Sequence, residues 1–157
     1  MTIHETLTKY PYLHDPGICT YATGPDALWT DHCPVGWRPL LFEMCDKINE
    51  LLEKAKLDIK NFEVLQIKEK FGALTFYWRL HNGTKELSDQ IHAIIEDGRT
   101  RSQKICFLCG SPAPWISKPW VCPYCDKCAQ EHVDGLNHRY GEGSTIENTF
   151  DKNEELR

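Results

Sequence analysis

The stretch Ile105-Cys106-Phe107-Leu108-Cys109-Gly110, answered by Cys125-Asp126-Lys127-Cys128-Ala129, decides how this chain is read. Each carries Cys-x-x-Cys, and fifteen residues lie between the pairs. That spacing fits two zinc knuckles, and the reason is chemical. One Cys-x-x-Cys turn brings two thiolates to one ion at about 2.3 Å each, and a second turn completes a tetrahedron. The expected cofactor is therefore one Zn²⁺ held by Cys106, Cys109, Cys125 and Cys128. Four thiolates leave no open coordination position, so the expected role is structural.

Cys122 competes for the second pair, because Cys122-Pro123-Tyr124-Cys125 has the same spacing. Two features favour Cys125 with Cys128. Pro123 lacks the backbone N–H that a knuckle donates to sulfur. Cys128 also opens a stretch, Ala129 to His138, that reads as a short helix, and thiolates are favoured at helix N-termini. A knuckle paired with two ligands at a helix start is a treble-clef arrangement; a ribbon-like module is the alternative form.

Outward from the cysteines, the rest of the chain reads as a body. Leu40, Leu41, Met44, Ile48, Leu51, Leu52 and Ala55 share one face of a helix over Pro39 to Lys56. Glu43–Lys47 and Glu50–Lys54 are i,i+4 pairs on its polar side. Val64 to Lys70 is a strand. Phe71-Gly72 is a turn, with Gly72 able to take positive φ. Leu74, Phe76, Trp78 and Leu80 then alternate with Ala73, Thr75, Tyr77 and Arg79 as a second strand. Thr84 is an N-cap for a helix from Lys85 to Asp97, and Gly98 is expected to end it. Residues 1–36 read as a loop-rich arm threaded with Tyr10, Tyr12, Tyr21 and Trp29 and broken by Gly24 and Pro25. The predicted fold is α+β: a small antiparallel sheet or hairpin on two helices, with a zinc-knuckle module behind it. The predicted division is 1–104 for the body and arm, 105–141 for the module, and 142–157 for a flexible acidic tail.

Composition bounds the function classes. The 157 residues are 41% apolar and 26% charged, ordinary for one globular domain with a core. The net charge of −5 is uneven. Residues 1–97 hold 10 basic and 15 acidic side chains, 98–141 hold 6 and 3, and 142–157 hold 2 and 5. A tetrathiolate zinc adds −2 to the only basic segment, which leaves no dense phosphate-binding patch. Met1-Thr2-Ile3-His4-Glu5-Thr6 shows no basic leader, and no apolar run approaches a membrane span. With eight cysteines and no export signal, metal binding is expected over disulfides, in the cytoplasm.

Gly36-Trp37-Arg38-Pro39-Leu40, Gln66-Ile67-Lys68-Glu69-Lys70-Phe71-Gly72-Ala73-Leu74-Thr75-Phe76-Tyr77, and the two cysteine pairs occur in a familiar order over about residues 33–129. In that order the chain resembles a family of small uncharacterised bacterial and prophage proteins. These have a Gly-Trp helix, a Lys-Glu-Lys-Phe-Gly hairpin and a C-terminal knuckle pair. The resemblance supports Cys125 and Cys128 as the second pair and implies a phage or mobile-element setting. It implies no activity. Cys122 and Gly72-Ala73-Leu74-Thr75 depart from the family pattern.

Familiar catalytic sets are missing from the sequence. A nuclease of the HNH type needs His and Asp between the knuckles, and residues 110–124 hold no His, Asp or Glu. No His is followed two residues on by Glu, no Pro directly precedes a Cys, and neither HExxH nor a P-loop occurs. Asp31-His32-Cys33 is a compact trio that reads as a loop. Cys45 reads as a buried thiol, and His132 and His138 as surface residues.

The expected function is therefore a zinc-stabilised, non-enzymatic protein-binding module, including an inhibitor of a host defence system. The alternative is a nucleic-acid or nucleotide binder. Lys68, Lys70, Tyr77 and Arg79 on the hairpin, with Arg99, Arg101 and Lys104 before the knuckle, are the candidate partner-binding residues. The hairpin or the aromatic arm, rather than the zinc, is the expected contact surface.

Overall fold

Helix α2, Arg38–Lys54, is the spine of the body. It buries Leu40, Leu41, Met44, Cys45, Ile48 and Leu52, the face its 3.6-residue spacing predicts. Pro39 sits in its first turn, where a missing N–H costs nothing. The Glu43–Lys47 pair closes at 2.8 Å; Glu50–Lys54 forms no ion pair among the described residues. Those are 1–17 and 26–154 of this computed structural model.

Strands β1, Phe62–Lys70, and β2, Ala73–Leu80, form an antiparallel hairpin. Lys70 pairs with Ala73, Lys68 with Thr75 and Gln66 with Tyr77; a bulge follows between Gln66 and Val64. The turn holds Phe71 at φ 51° and Gly72 at φ 76°. Two successive positive φ values make the tight turn whose twist matches the strands. The Glu69 carboxylate accepts the Gly72 N–H at 2.8 Å and fixes the turn.

Helix α3 covers Lys85–Ser102, capped at its start by the Thr84 hydroxyl, which accepts the Leu87 N–H. It does not stop at Gly98. The absent side chain there lets α3 approach α2 closely, since a Cβ would fall on the Met44 sulfur. That packing offsets the roughly 1 kcal/mol that glycine costs a helix interior. Ile67, Leu74, Phe76, Leu87, Ile91 and Ile95 complete the core between hairpin and helices.

The N-terminal segment corrects the loop-rich expectation. Thr2 and Glu5 form a reciprocal capping box that starts helix α1, Ile3–Lys9. Tyr10, Tyr12, Leu13 and Trp29 then enter the main core. Tyr10 and Tyr12 donate their hydroxyls to Asp46 and Asn49 on α2 at 2.6 and 2.7 Å. Tyr21, Gly24 and Pro25 lie outside the described residues.

The C-terminal module has its own sheet and core. Strands β3, Trp115–Ser117, β4, Pro123–Tyr124, and β5, Phe150–Lys152, pair antiparallel in the order β4-β3-β5. Helix α4, Asp126–Tyr140, and a single turn α5, Ile146–Thr149, lie against them. The flexible tail expected from residue 142 is thereby corrected. Phe150 is 2% exposed, with its ring centroid 4.9 Å from that of Tyr124. Asn153 donates its side-chain amide to the carbonyls of Gln103 and Ala113. One buried aromatic and one bridging amide outweigh a polar, acidic composition. No helix among the described residues is long and apolar enough to cross a membrane.

Candidate metal centre and the surface beside it

The first knuckle begins where α3 ends. Ile105 pairs with Pro112 across it, the Cys106 N–H donates to Ser111 O at 2.7 Å, and the Gly110 N–H donates to Cys106 O at 2.9 Å. Gly110 takes φ 84° to close the loop. The second pair enters from β4 into α4. Cys125 is the N-cap of α4, and its sulfur accepts the Cys128 N–H at 3.4 Å.

The sulfurs of Cys106, Cys109, Cys125 and Cys128 all lie within 4.8 Å of one another. A tetrahedron with metal–sulfur bonds of about 2.3 Å has edges of about 3.8 Å, and the Cys109–Cys125 separation is 3.5 Å. An all-sulfur donor set of that size fits one metal ion. This is the cluster expected from the two Cys-x-x-Cys pairs.

The local electrostatics are divided. Burial pushes the Cys106 and Cys128 thiols above their ordinary range, although N–H groups of Cys125, Cys109 and Leu108 oppose this at Cys106. The Ser111 hydroxyl and N–H bring Cys109 down to about 6. A bound cation would take all four as thiolates.

Cys122 stands outside the cluster. It is buried, with its thiol pushed up to about 11, first by burial and then by Glu69. Its N–H donates to Ser117 Oγ at 3.0 Å, and its carbonyl accepts the Ser117 N–H at 2.9 Å. The Ser117 hydroxyl also donates to Trp120 O. These bonds tie a tight loop over residues 118–121 that carries Trp120.

That loop meets the hairpin tip. A Cβ on Gly72 would lie 3.1 Å from Val121 Cγ1. Phe71 is 79% exposed and Trp120 74%. With Val121, Pro119, Lys68, Glu69 and Lys70 they line a hollow of about 270 Å³. Sequence reading missed this patch, because its halves lie about fifty positions apart and only the hairpin half belongs to a motif. The only signal was two bulky apolar residues inside turn-forming stretches.

The candidate partner-binding residues do not form one cluster. Lys68 and Lys70 stand over the rings of Tyr77 and Phe71, each 5.9 Å from the centroid. Tyr77 is 43% exposed, and Arg79 lies 3.6 Å from Glu63. Arg99 lies along α3 facing a groove beside β2. Arg101 turns instead toward α2, gripping Glu43 with two bonds of 2.7 and 2.8 Å and lying 3.5 Å from Asp97. Lys104 is exposed at the helix exit. The expected Arg99-Arg101-Lys104 basic cluster is thus split, and Arg101 is a tie between helices. Of the aromatic arm, Tyr10, Tyr12 and Trp29 are core residues.

Asp31, His32 and Cys33 face three different partners. Asp31 accepts the Leu28 N–H, His32 Nε2 lies 3.1 Å from Asp15 Oδ2, and the Cys33 thiol donates to Pro34 O. Burial pushes Cys33 up to about 12, so this thiol is held protonated at neutral pH. Cys45 is buried as expected. His138 is exposed, and exposed His132 also packs its ring 5.6 Å from Tyr124 and 5.7 Å from Phe150.

No family model matches the chain, and no curated protein or solved structure matches it.

Proposed function

We propose that the chain is a zinc-stabilised, non-enzymatic binding protein that acts through a protein partner docked across the hairpin tip and the Trp120 loop. The observation that carries this reading is the Phe71–Trp120–Val121 patch. Large aromatics with nearby cations are the residue types that dominate protein interfaces. Phe71 is also held at positive φ, an unfavourable backbone for a bulky residue. Such strain persists at positions where the surrounding structure enforces it, and these cluster at working surfaces.

Zinc is the ion assigned to the four sulfurs. A tetrahedral S₄ set suits zinc or an iron centre, and zinc brings no redox chemistry, in keeping with a purely structural part. Its contribution is to hold the Trp120 loop against the hairpin. On the resemblance drawn from the motifs, the partner is a protein of the bacterial cytoplasm met by a phage or mobile element, including a host defence component. Nucleic acid is the second reading. It is supported by the lysines over Phe71 and Tyr77, an arrangement suited to stacking bases.

The test is a photo-reactive amino acid placed at Trp120 and, as a control, at Glu50 on the polar face of α2. One protein cross-linked at position 120 and absent at position 50 supports the reading. Nucleic acid recovered at position 120, and released as salt rises, overturns it in favour of the second. Metal analysis should give one zinc per chain; a coloured, iron-containing protein would correct the metal.

A further inference from the structure

Beside the patch runs a groove of about 550 Å³ between β2 and α3. Its wall on α3 is His92, Ile95, Glu96 and Arg99, one helical stripe at i, i+3, i+4 and i+7. Its other wall is Leu74 to Trp78 of β2.

Among the described residues the hairpin sheet has two strands, so β2 pairs on one side. A two-residue turn makes Lys70 and Ala73 the first hydrogen-bonded pair. By alternation, Ala73, Thr75 and Tyr77 turn their backbone groups toward β1, and Leu74, Phe76 and Trp78 turn theirs toward the groove. The Leu74 N–H confirms the parity, because it donates to Ser102 Oγ of α3 at 2.8 Å. Beyond Leu74 the helix supplies no such partner. Among the described residues no side chain or loop backbone bonds the amides of Phe76 or Trp78. An unpaired strand edge lining a cleft is a template for an added strand.

The charges select the sequence of that strand. Register places Lys68 with Thr75 and Gln66 with Tyr77 on the outer face of the hairpin, beside Lys70. Arg99 stands at the groove, 4.0 Å from Glu96 and only loosely paired. Lys70 and Arg99 are thus the cations lining the groove and Glu96 its one carboxylate, with Lys68 a further cation on the outer face of the hairpin. On the inner side Phe76, Trp78 and Ile95 are apolar, with His92 and Glu96 beside them on α3.

We infer that the β2 edge binds an extended peptide segment of a partner protein, added as a third strand, with acidic side chains on its outer face and apolar ones on its inner face. This deepens the protein-partner reading and rests on it. The peptide would pair its backbone with Phe76 and Trp78, set its carboxylates beside Lys68, Lys70 and Arg99, and bury alternate apolar side chains against the half-buried Trp78 ring.

A heptapeptide of alternating glutamate and valine is the probe, added to the zinc-loaded full chain up to millimolar concentration. Amide hydrogen exchange is followed residue by residue. The expected result is at least tenfold slower exchange at Phe76 and Trp78. The Arg99→Glu variant, shown folded by circular dichroism, should bind at least fivefold more weakly. A lysine–valine peptide, and a glutamate–valine peptide methylated on its pairing amides, should leave both residues unprotected. Unchanged exchange at Phe76 and Trp78, or equal binding of either control peptide, overturns strand addition. So does protection that appears without peptide and grows with protein concentration, which assigns the edge to a second copy. Cross-linking of a protein at Trp120 with Phe76 and Trp78 unmoved overturns strand addition while the partner reading stands. Loss of both overturns both.

Discussion

Gly36 lies directly against the backbone of Cys106: a Cβ on Gly36 would overlap the Cys106 carbonyl oxygen and sit 2.7 Å from the Gly110 nitrogen. The Gly36 N–H donates to Phe107 O at 2.9 Å, and Trp37 Nε1 donates to Ile105 O at the same distance. The Gly-Trp dipeptide before α2 is therefore the seat of the first knuckle. Since the obstructing atoms are backbone, Gly36→Ala cannot be absorbed by a side-chain shift. It should cost about 3 kcal/mol or more, in the range of severe overpacking. Thermal unfolding of the metal-loaded variant checks this; a change under about 1 kcal/mol would mean the knuckle does not sit on Gly36.

Metal removal should unfold the module. Structural zinc sites supply roughly 10–16 kcal/mol of apparent binding free energy, on the scale of a whole domain's stability. Cys106→Ser and Cys125→Ser should abolish metal binding and give insoluble or unfolded chain. Cys122→Ser should retain one metal per chain and lose only about 1–3 kcal/mol for a hydroxyl in a buried site. Metal content and soluble yield of the three variants decide this, and loss of metal in Cys122→Ser would contradict the four-sulfur centre.

The Glu43–Arg101 tie should give a pH signature. Arg101, and then Lys47, hold the Glu43 carboxyl down at about 2, below its usual 4.5. A folded-state value below the unfolded one adds stability that is fully present above about pH 4.5 and lost as pH falls toward 2. Both side chains are about two-fifths exposed, so solvent screening keeps the effect to about 1 kcal/mol or less. Arg101→Ala should lower stability by that amount at pH 7, and its deficit relative to the wild type should shrink by pH 3.5. A deficit unchanged across that interval would show that Arg101 acts through packing alone.

Phe150 anchors the C-terminal strand. Phe150→Ala should cost about 3–5 kcal/mol, through a cavity beside Tyr124 and His132. Denaturant unfolding monitored at Trp115, which pairs with Lys152 across β3 and β5, reports it. A neutral variant would restore the expectation of a loose tail.

The elements legible in the sequence were those whose signal is local and periodic. The α2 face, the alternation of β2 and the paired Cys-x-x-Cys spacings each repeat a geometric period, and each appears at its place. Gly98 misled because a stop signal and a close-packing site use the same residue; only Met44, fifty-four positions away, tells them apart. Phe150 and Asn153 were invisible because isolated residues in a polar stretch carry no period. The Thr2–Glu5 capping box was readable and would have placed α1. Around the site, the four ligands were legible and the Phe71–Trp120 juxtaposition was not, since it exists only after two distant turns are brought together.

The bond from Trp37 to Ile105 spans 68 residues. The hairpin and α3 are built from nearby sequence and form quickly, whereas joining such distant segments is slow, because a long loop must close before any contact rewards it. Seating the knuckle on Gly36 is thus a long-range closure, the kind of contact on which folding is slow. Until that closure is made, the hairpin tip at Gly72 lacks the Val121 neighbour that packs against it in the folded chain. An apolar tip left uncovered is open to other nascent chains, and slow closure of that kind is a route to aggregation.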